Sequence, residues 1–130
     1  MSQIKYKKTS SFEKDLKNLL KKLRTLESDI EIAKINAIEL FHLKNINNEA
    51  VFPIPDFCSN EVKIYKLKKF ACKTLKGRGI KSGIRIIYAF YIETQTVEFI
   101  EIYFKSESEN ENFSRIKEYI KDILKKDKNI

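Results

Sequence analysis

Two cysteines (Cys58 and Cys72), one histidine (His42), two prolines and three glycines are all that these types contribute to a chain of 130 residues. Each scarcity removes a class of protein. Two thiols make no disulfide framework, and one imidazole leaves a His/Cys zinc site short of ligands. Neither a metal nor another cofactor is therefore expected, and the thiols read as free and half-buried. So little proline and glycine, beside 42% apolar residues, excludes a disordered or fibrous chain. No apolar run nears the roughly 18 residues that cross a bilayer, and the opening MSQIKYKKTSSFEK has no hydrophobic region of the signal-peptide kind. No membrane partner is expected, and the expected location is the cytoplasm. The length suits a single domain over residues 1–130, burying about two-thirds of its unfolded surface.

The most informative absence is local. From Val62 to Tyr91 there is no acid, the nearest being Glu61 and Glu93. The same stretch holds Lys63, Lys66, Lys68, Lys69, Lys73, Lys76, Arg78, Lys81 and Arg85. The whole chain has 26 basic and 18 acidic residues, so the remainder is left with 17 against 18, and the net charge of +8 resides in this stretch. Like charges so crowded repel one another, and a polyanion would relieve the repulsion while releasing its own counterions.

Taken in order, residues 3–7 alternate as a short strand does. Ser10 to Glu13 reads as a capping box, followed by an apolar face of Phe12, Leu16, Leu19, Leu20 and Leu23 and a solvated lysine face of Lys14, Lys17, Lys21 and Lys22. Ser28 to Glu31 repeats the capping pattern before Ile30, Ala33, Ala37, Ile38 and Phe41, so the two helices should form an antiparallel hairpin. His42 falls near its end, where a surface or capping role is expected. Residues 47–60 read as a loop long enough to be packed or functional. Then come strands at 62–70, 84–91 and 97–105, with a glycine-punctuated basic loop at 73–83. A last helix opens near Ser108, with Phe113, Ile116, Ile120, Ile123 and Leu124 on one face. The expected fold is α+β, in the order β-α-α-β-β-β-α. A small antiparallel sheet, made of the N-terminal strand and a three-strand meander, carries an α-hairpin on one face and ends in a C-terminal helix.

Strand alternation predicts which side chains meet. Tyr65, Leu67, Ile84, Ile86, Tyr88, Phe90, Ile100, Ile102 and Phe104 are expected inward, Tyr88 with its hydroxyl on a backbone partner. Lys66, Lys68, Arg85, Tyr103 and Lys105, with Phe99 and Glu101, are then outward, and Lys73, Lys76, Arg78 and Lys81 hang at the edge. Exposed lysines also discourage edge pairing, but that accounts for two or three of them, not nine. The pattern points to nucleic acid or phosphate. RNA brings its own nucleophile, the 2′-hydroxyl, so cleavage needs only proton transfer and stabilisation of the phosphoryl oxygens. An arginine fork holds two such oxygens, a lysine crowded by cations has a lowered pKa, and a tyrosine stacks on a base or assists proton transfer.

With KTSSFEKDLKNLLKKL, IYKLKKF, LKGRGIKSGIRIIYAF and VEFIEIYFKSESENE, the chain resembles the RelE/ParE superfamily of toxin–antitoxin toxins over nearly its whole length. The resemblance implies a cognate antitoxin covering the basic face. For the RelE branch it implies a metal-independent mRNA interferase acting on the ribosome. Arg85, after Ser82-Gly83, matches the phosphate-binding arginine, and Lys66 and Lys68 match basic strand positions. Lys76 and Arg78 match active-site lysines of some members, and Tyr103 to Ser106, including Lys105, matches a segment supplying a further catalytic side chain. The expected catalytic set is thus Arg85, Lys76, Arg78, Tyr103 and Lys105, with Lys66, Lys68, Lys69, Lys73 and Lys81 holding RNA. Many relatives carry histidine or arginine where this chain has Phe104-Lys105-Ser106. That keeps open a ParE-like alternative, which binds DNA gyrase and cleaves nothing, and a weak member that only binds its antitoxin.

Overall fold

A computed structural model describes residues 4–47, 49–57, 59–68, 71–75, 82–105 and 110–128. Strand β1 (Lys5–Lys8) leads into α1 (Ser10–Leu20). The cap of α1 is Thr9, one residue before the expected serine: its hydroxyl accepts the Phe12 N–H at 3.1 Å, satisfying a free first-turn donor. The second arm of the hairpin runs from Leu26 to Lys44 as α2 (Leu26–Ala33), a π-helical segment (Lys34–Glu39) and α3 (Leu40–Lys44). It starts two residues before Ser28, which instead donates its hydroxyl to the Thr25 carbonyl. It stops where Asn45 turns left-handed at φ 56°, a conformation asparagine tolerates.

The expected loop at 47–60 contains a further strand, β2 (Val51–Pro53), and a 3₁₀ turn (Pro55–Phe57). A strand ending in proline belongs at a sheet edge, where no ladder N–H is required, and β2 lies there. β3 (Val62–Leu67), β4 (Ile84–Tyr91) and β5 (Thr96–Phe104) form the expected meander. The order across the sheet is β1-β5-β4-β3-β2, antiparallel except that β1 joins β5 in parallel after the hairpin crossover. This is the α+β architecture expected from the sequence, with one strand more.

The hairpin lies on one face, burying Phe12, Leu16, Leu19, Leu26, Ile30 and Ile38 against Tyr65, Leu67, Ile84, Ile86, Tyr88 and Phe99. On the other face α4 (Phe113–Lys128) sets Ile116 against Val62, Ile64, Ile87, Ala89 and Ile100, with Tyr119, Ile120 and Ile123 beside it. Phe113 and Leu124, expected on the buried side of α4, stay 49% and 55% exposed, and the packed side is formed by Ile116, Tyr119, Ile120 and Ile123.

One bulge changes the face assignment. Ile87 pairs with Glu101 but Tyr88 pairs with Phe99, so Ile100 is the extra residue of β5. Uniform alternation put Phe99 outward and Ile100 inward. The structure reverses both: Phe99 stacks on Phe12 at 5.1 Å within the hairpin core, and Ile100 packs under α4.

Candidate nucleic-acid interface

The register defines two cross-strand rows on the α4 side of the sheet. Lys66, Ile87 and Glu101 form one across β3, β4 and β5, and Arg85 stands opposite Tyr103 in the next. Ile87 and Tyr103 both belong to the core under α4, which fixes the face on which their row partners lie. Arg85 donates through Nη1 to the Lys68 carbonyl at 3.1 Å and to its neighbour Ile84 at 3.4 Å. The backbone at the end of β3 and the start of β4 thereby aims the guanidinium. Gly83, at φ +88°, sets up the approach: its carbonyl accepts the Lys105 N–H at 2.8 Å, and a Cβ there would lie 3.3 Å from the Phe104 ring. Exposed Lys105 is thereby held beside the start of β4.

The expected residues meet only in part. Lys66, Arg85 and Tyr103 come together. Lys68 leans outward, its ammonium 4.8 Å over the Phe52 ring of the edge strand. Lys73 is drawn to the opposite side, because its N–H donates to Asp29 Oδ2 at 3.2 Å while Thr74 and Thr25 bond to each other through backbone and hydroxyl groups. That polar knot ties residues 72–74 to the hairpin, with Cys72 buried and free beneath it. Lys69, Lys76, Arg78 and Lys81 lie outside the described residues, as does Cys58.

The face is also less open and less purely cationic than expected. Tyr103 is only 7% exposed. Burial, with Glu111 and Glu101 nearby, pushes its hydroxyl up to about 12 against the opposing pull of Arg85, so at neutral pH it donates a proton and does not accept one. Two acids have entered. Glu111, from the segment before α4, meets Lys66 Nζ at 2.6 Å. Glu101 accepts the Asn112 N–H at 2.9 Å, and burial pushes its carboxyl up while that bond and Arg115 pull it down. Alternation along β5 already placed Glu101 on this face. Glu111 carried no such signal, since its place depends on how α4 folds back.

The inner face holds a second difference. His42 is half-buried rather than on the surface, stacked on Phe90 at 4.0 Å and bonded through Nε2 to the Tyr88 hydroxyl at 2.8 Å. Tyr88 is thus the core residue expected, with a side-chain partner in place of a backbone one. Among the described residues no three His, Cys, Asp or Glu side chains are grouped to hold a metal, and no helix is long and apolar enough to cross a membrane.

What this face can do follows from its donors: an arginine fork, a protonated phenol and an ammonium share one face of the sheet, and all three suit an anion. No protein-family model and no curated protein sequence matches the chain. Among solved structures, it is similar to a chain in the crystal structure of the archaeal RelE–RelB complex from Pyrococcus horikoshii OT3, at a TM-score of 0.50 and 10% identity, covering 82% of this chain and 100% of that one. At that identity the likeness is one of fold, and the fold of this chain is RelE-like.

Proposed function

We propose that the chain is a RelE-like toxin of a toxin–antitoxin system, one domain over 1–130 that acts in the cytoplasm as a metal-independent mRNA endoribonuclease on the ribosome. The observation that carries this is Arg85 braced by backbone carbonyls opposite Tyr103, with Lys66 on the same face. The fold shared with a RelE–RelB complex supports it and supports an antitoxin partner. In the reaction, the 2′-hydroxyl gives its proton to water and attacks the adjacent phosphorus as the P–O5′ bond breaks, Arg85 holds the phosphoryl oxygens, and the protonated Tyr103 supplies a proton to the departing 5′-oxygen. Lys66, Lys68 and Lys105 hold the strand, joined by Lys69, Lys76, Arg78 and Lys81 from the basic segments.

Induced expression with primer extension on cellular mRNA tests the reading. Wild type should arrest growth and cut mRNA at codon boundaries, while Arg85→Ala should lose both and keep its melting temperature within a few degrees. A fully toxic Arg85→Ala protein would remove that residue from the site. One observation favours a second reading: of the expected residues described at this face, Lys66 is engaged by Glu111 and Tyr103 is held protonated, so neither is placed to act as a base. A ParE-like toxin binding DNA gyrase needs no base. It would leave mRNA intact and raise DNA-damage signalling, and a weak member confined to its antitoxin would do neither.

A further inference from the structure

Glu111 places a carboxylate on Lys66, a cation that the proposed site offers to RNA. Its side chain is 5% exposed and its Oε1 lies 2.6 Å from Lys66 Nζ, itself only 17% exposed, so solvent and salt screen the pair weakly. Backbone and caps hold it there. The next residue, Asn112, donates its N–H to Glu101 Oε1 and accepts the Arg115 N–H on Oδ1 at 3.1 Å, capping α4. Arg115 in turn reaches Asp15 on α1. The Tyr103 hydroxyl, which faces Arg85 across the strands, feels the Glu111 charge as well. An anionic oxygen, an ammonium, a guanidinium and a phenol are thus gathered at one end of the sheet.

We infer that Glu111 is an internal anion seated in the phosphodiester subsite, and that single-stranded RNA must displace it from Lys66 before it can engage Arg85 and Tyr103. The inference rests on the RNA-cleaving reading and adds a regulation to that site. A carboxylate and a phosphodiester carry the same sign and seek the same donors, so the two cannot both be satisfied by Lys66. Such a self-contact lowers the apparent affinity for RNA by the fraction of molecules in which the subsite is free.

Fluorescence anisotropy with a labelled, 2′-O-methylated single-stranded RNA, which the proposed chemistry cannot cut, reads this directly. Glu111→Gln should bind about tenfold tighter than wild type. The gain should vanish when Lys66→Gln is added, because no ammonium remains to be released. Glu118→Gln, which removes an exposed charge elsewhere on α4, measures the long-range effect of one fewer acid and should gain no more than about twofold. Glu111→Asn repeats the test with a shorter neutral side chain if the glutamine variant fails to fold. Equal gains from Glu111→Gln and Glu118→Gln, or no gain, would overturn the inference, while loss of binding in Arg85→Ala would leave the function standing. Absence of RNA binding by wild type and every variant would instead bring down the function and the inference together.

Discussion

His42 shows how one side chain can be misplaced by its neighbours in sequence and explained by its neighbours in space. Phe41, Tyr65 and Phe90 enclose the ring, and Tyr88 takes its Nε2, so desolvation pushes its pKa down to about 4. The folded protein therefore binds that proton less readily than the unfolded chain. The corresponding stability is complete above about pH 6.5 and is lost as pH falls through about 4, up to about 3 kcal/mol. Urea melts of wild type should weaken over that window more than those of His42→Gln, which keeps a partner for Tyr88. Equal slopes would show that the imidazole is charged in the native state. Nothing in the sequence marked this residue, because the ring is enclosed by strands from 20 to 50 positions away; its partner Tyr88 is 46 away. Tyr88 itself was legible, since strand alternation decides its side without reference to distant residues.

Between elements, the edge of β5 is the place where local rules run out. β1 covers β5 only from Thr96 to Phe99, and the groups beyond need other partners. Thr9 N–H donates to the Phe99 carbonyl, Asp15 Oδ2 accepts the Ile102 N–H, and Arg115 Nη1 donates to the Ile100 carbonyl. Arg115 and Asp15 also form a two-pronged ion pair, joining α4 to α1 around the end of the sheet. Asp15→Ala therefore strands an arginine and a backbone donor together and should cost about 2 kcal/mol, read as a lower urea midpoint. Asp15→Asn, which can still accept the Ile102 N–H, should cost less; identical losses would mean that only the charge matters. The helices and the meander were readable because apolar spacing and strand alternation are local. The bulge at Ile100 and the strand β2 were not. A bulge leaves no mark on composition, and VFP becomes a strand only because β3 offers it an edge.

For the whole molecule, the charge of +8 is dominated by one quarter of the chain, but folding distributes it. Lys73 is fastened to the hairpin side, whereas Arg85, Lys66 and Lys68 stay with the sheet. If four cations engage phosphates, RNA binding should fall with salt at a log–log slope of about −3, and Arg85→Ala should reduce it by about 0.7. A slope near zero would show that the face does not grip a polyanion. The sequence made the concentration of charge plain. Glu101 was legible on that face from alternation along β5, whereas the arrival of Glu111 awaited the return of α4 over the sheet.

The parallel seating of β1 also orders events in time. Thr9 and Ile100, which meet where that strand gives way to α1, are 91 positions apart. The opening strand has no partner until β5 is present, so this flank of the sheet depends on residues far along the chain. A chain that has folded only its hairpin therefore still lacks this edge, and the pairing of Arg85 with Tyr103 waits on β4 and β5 together.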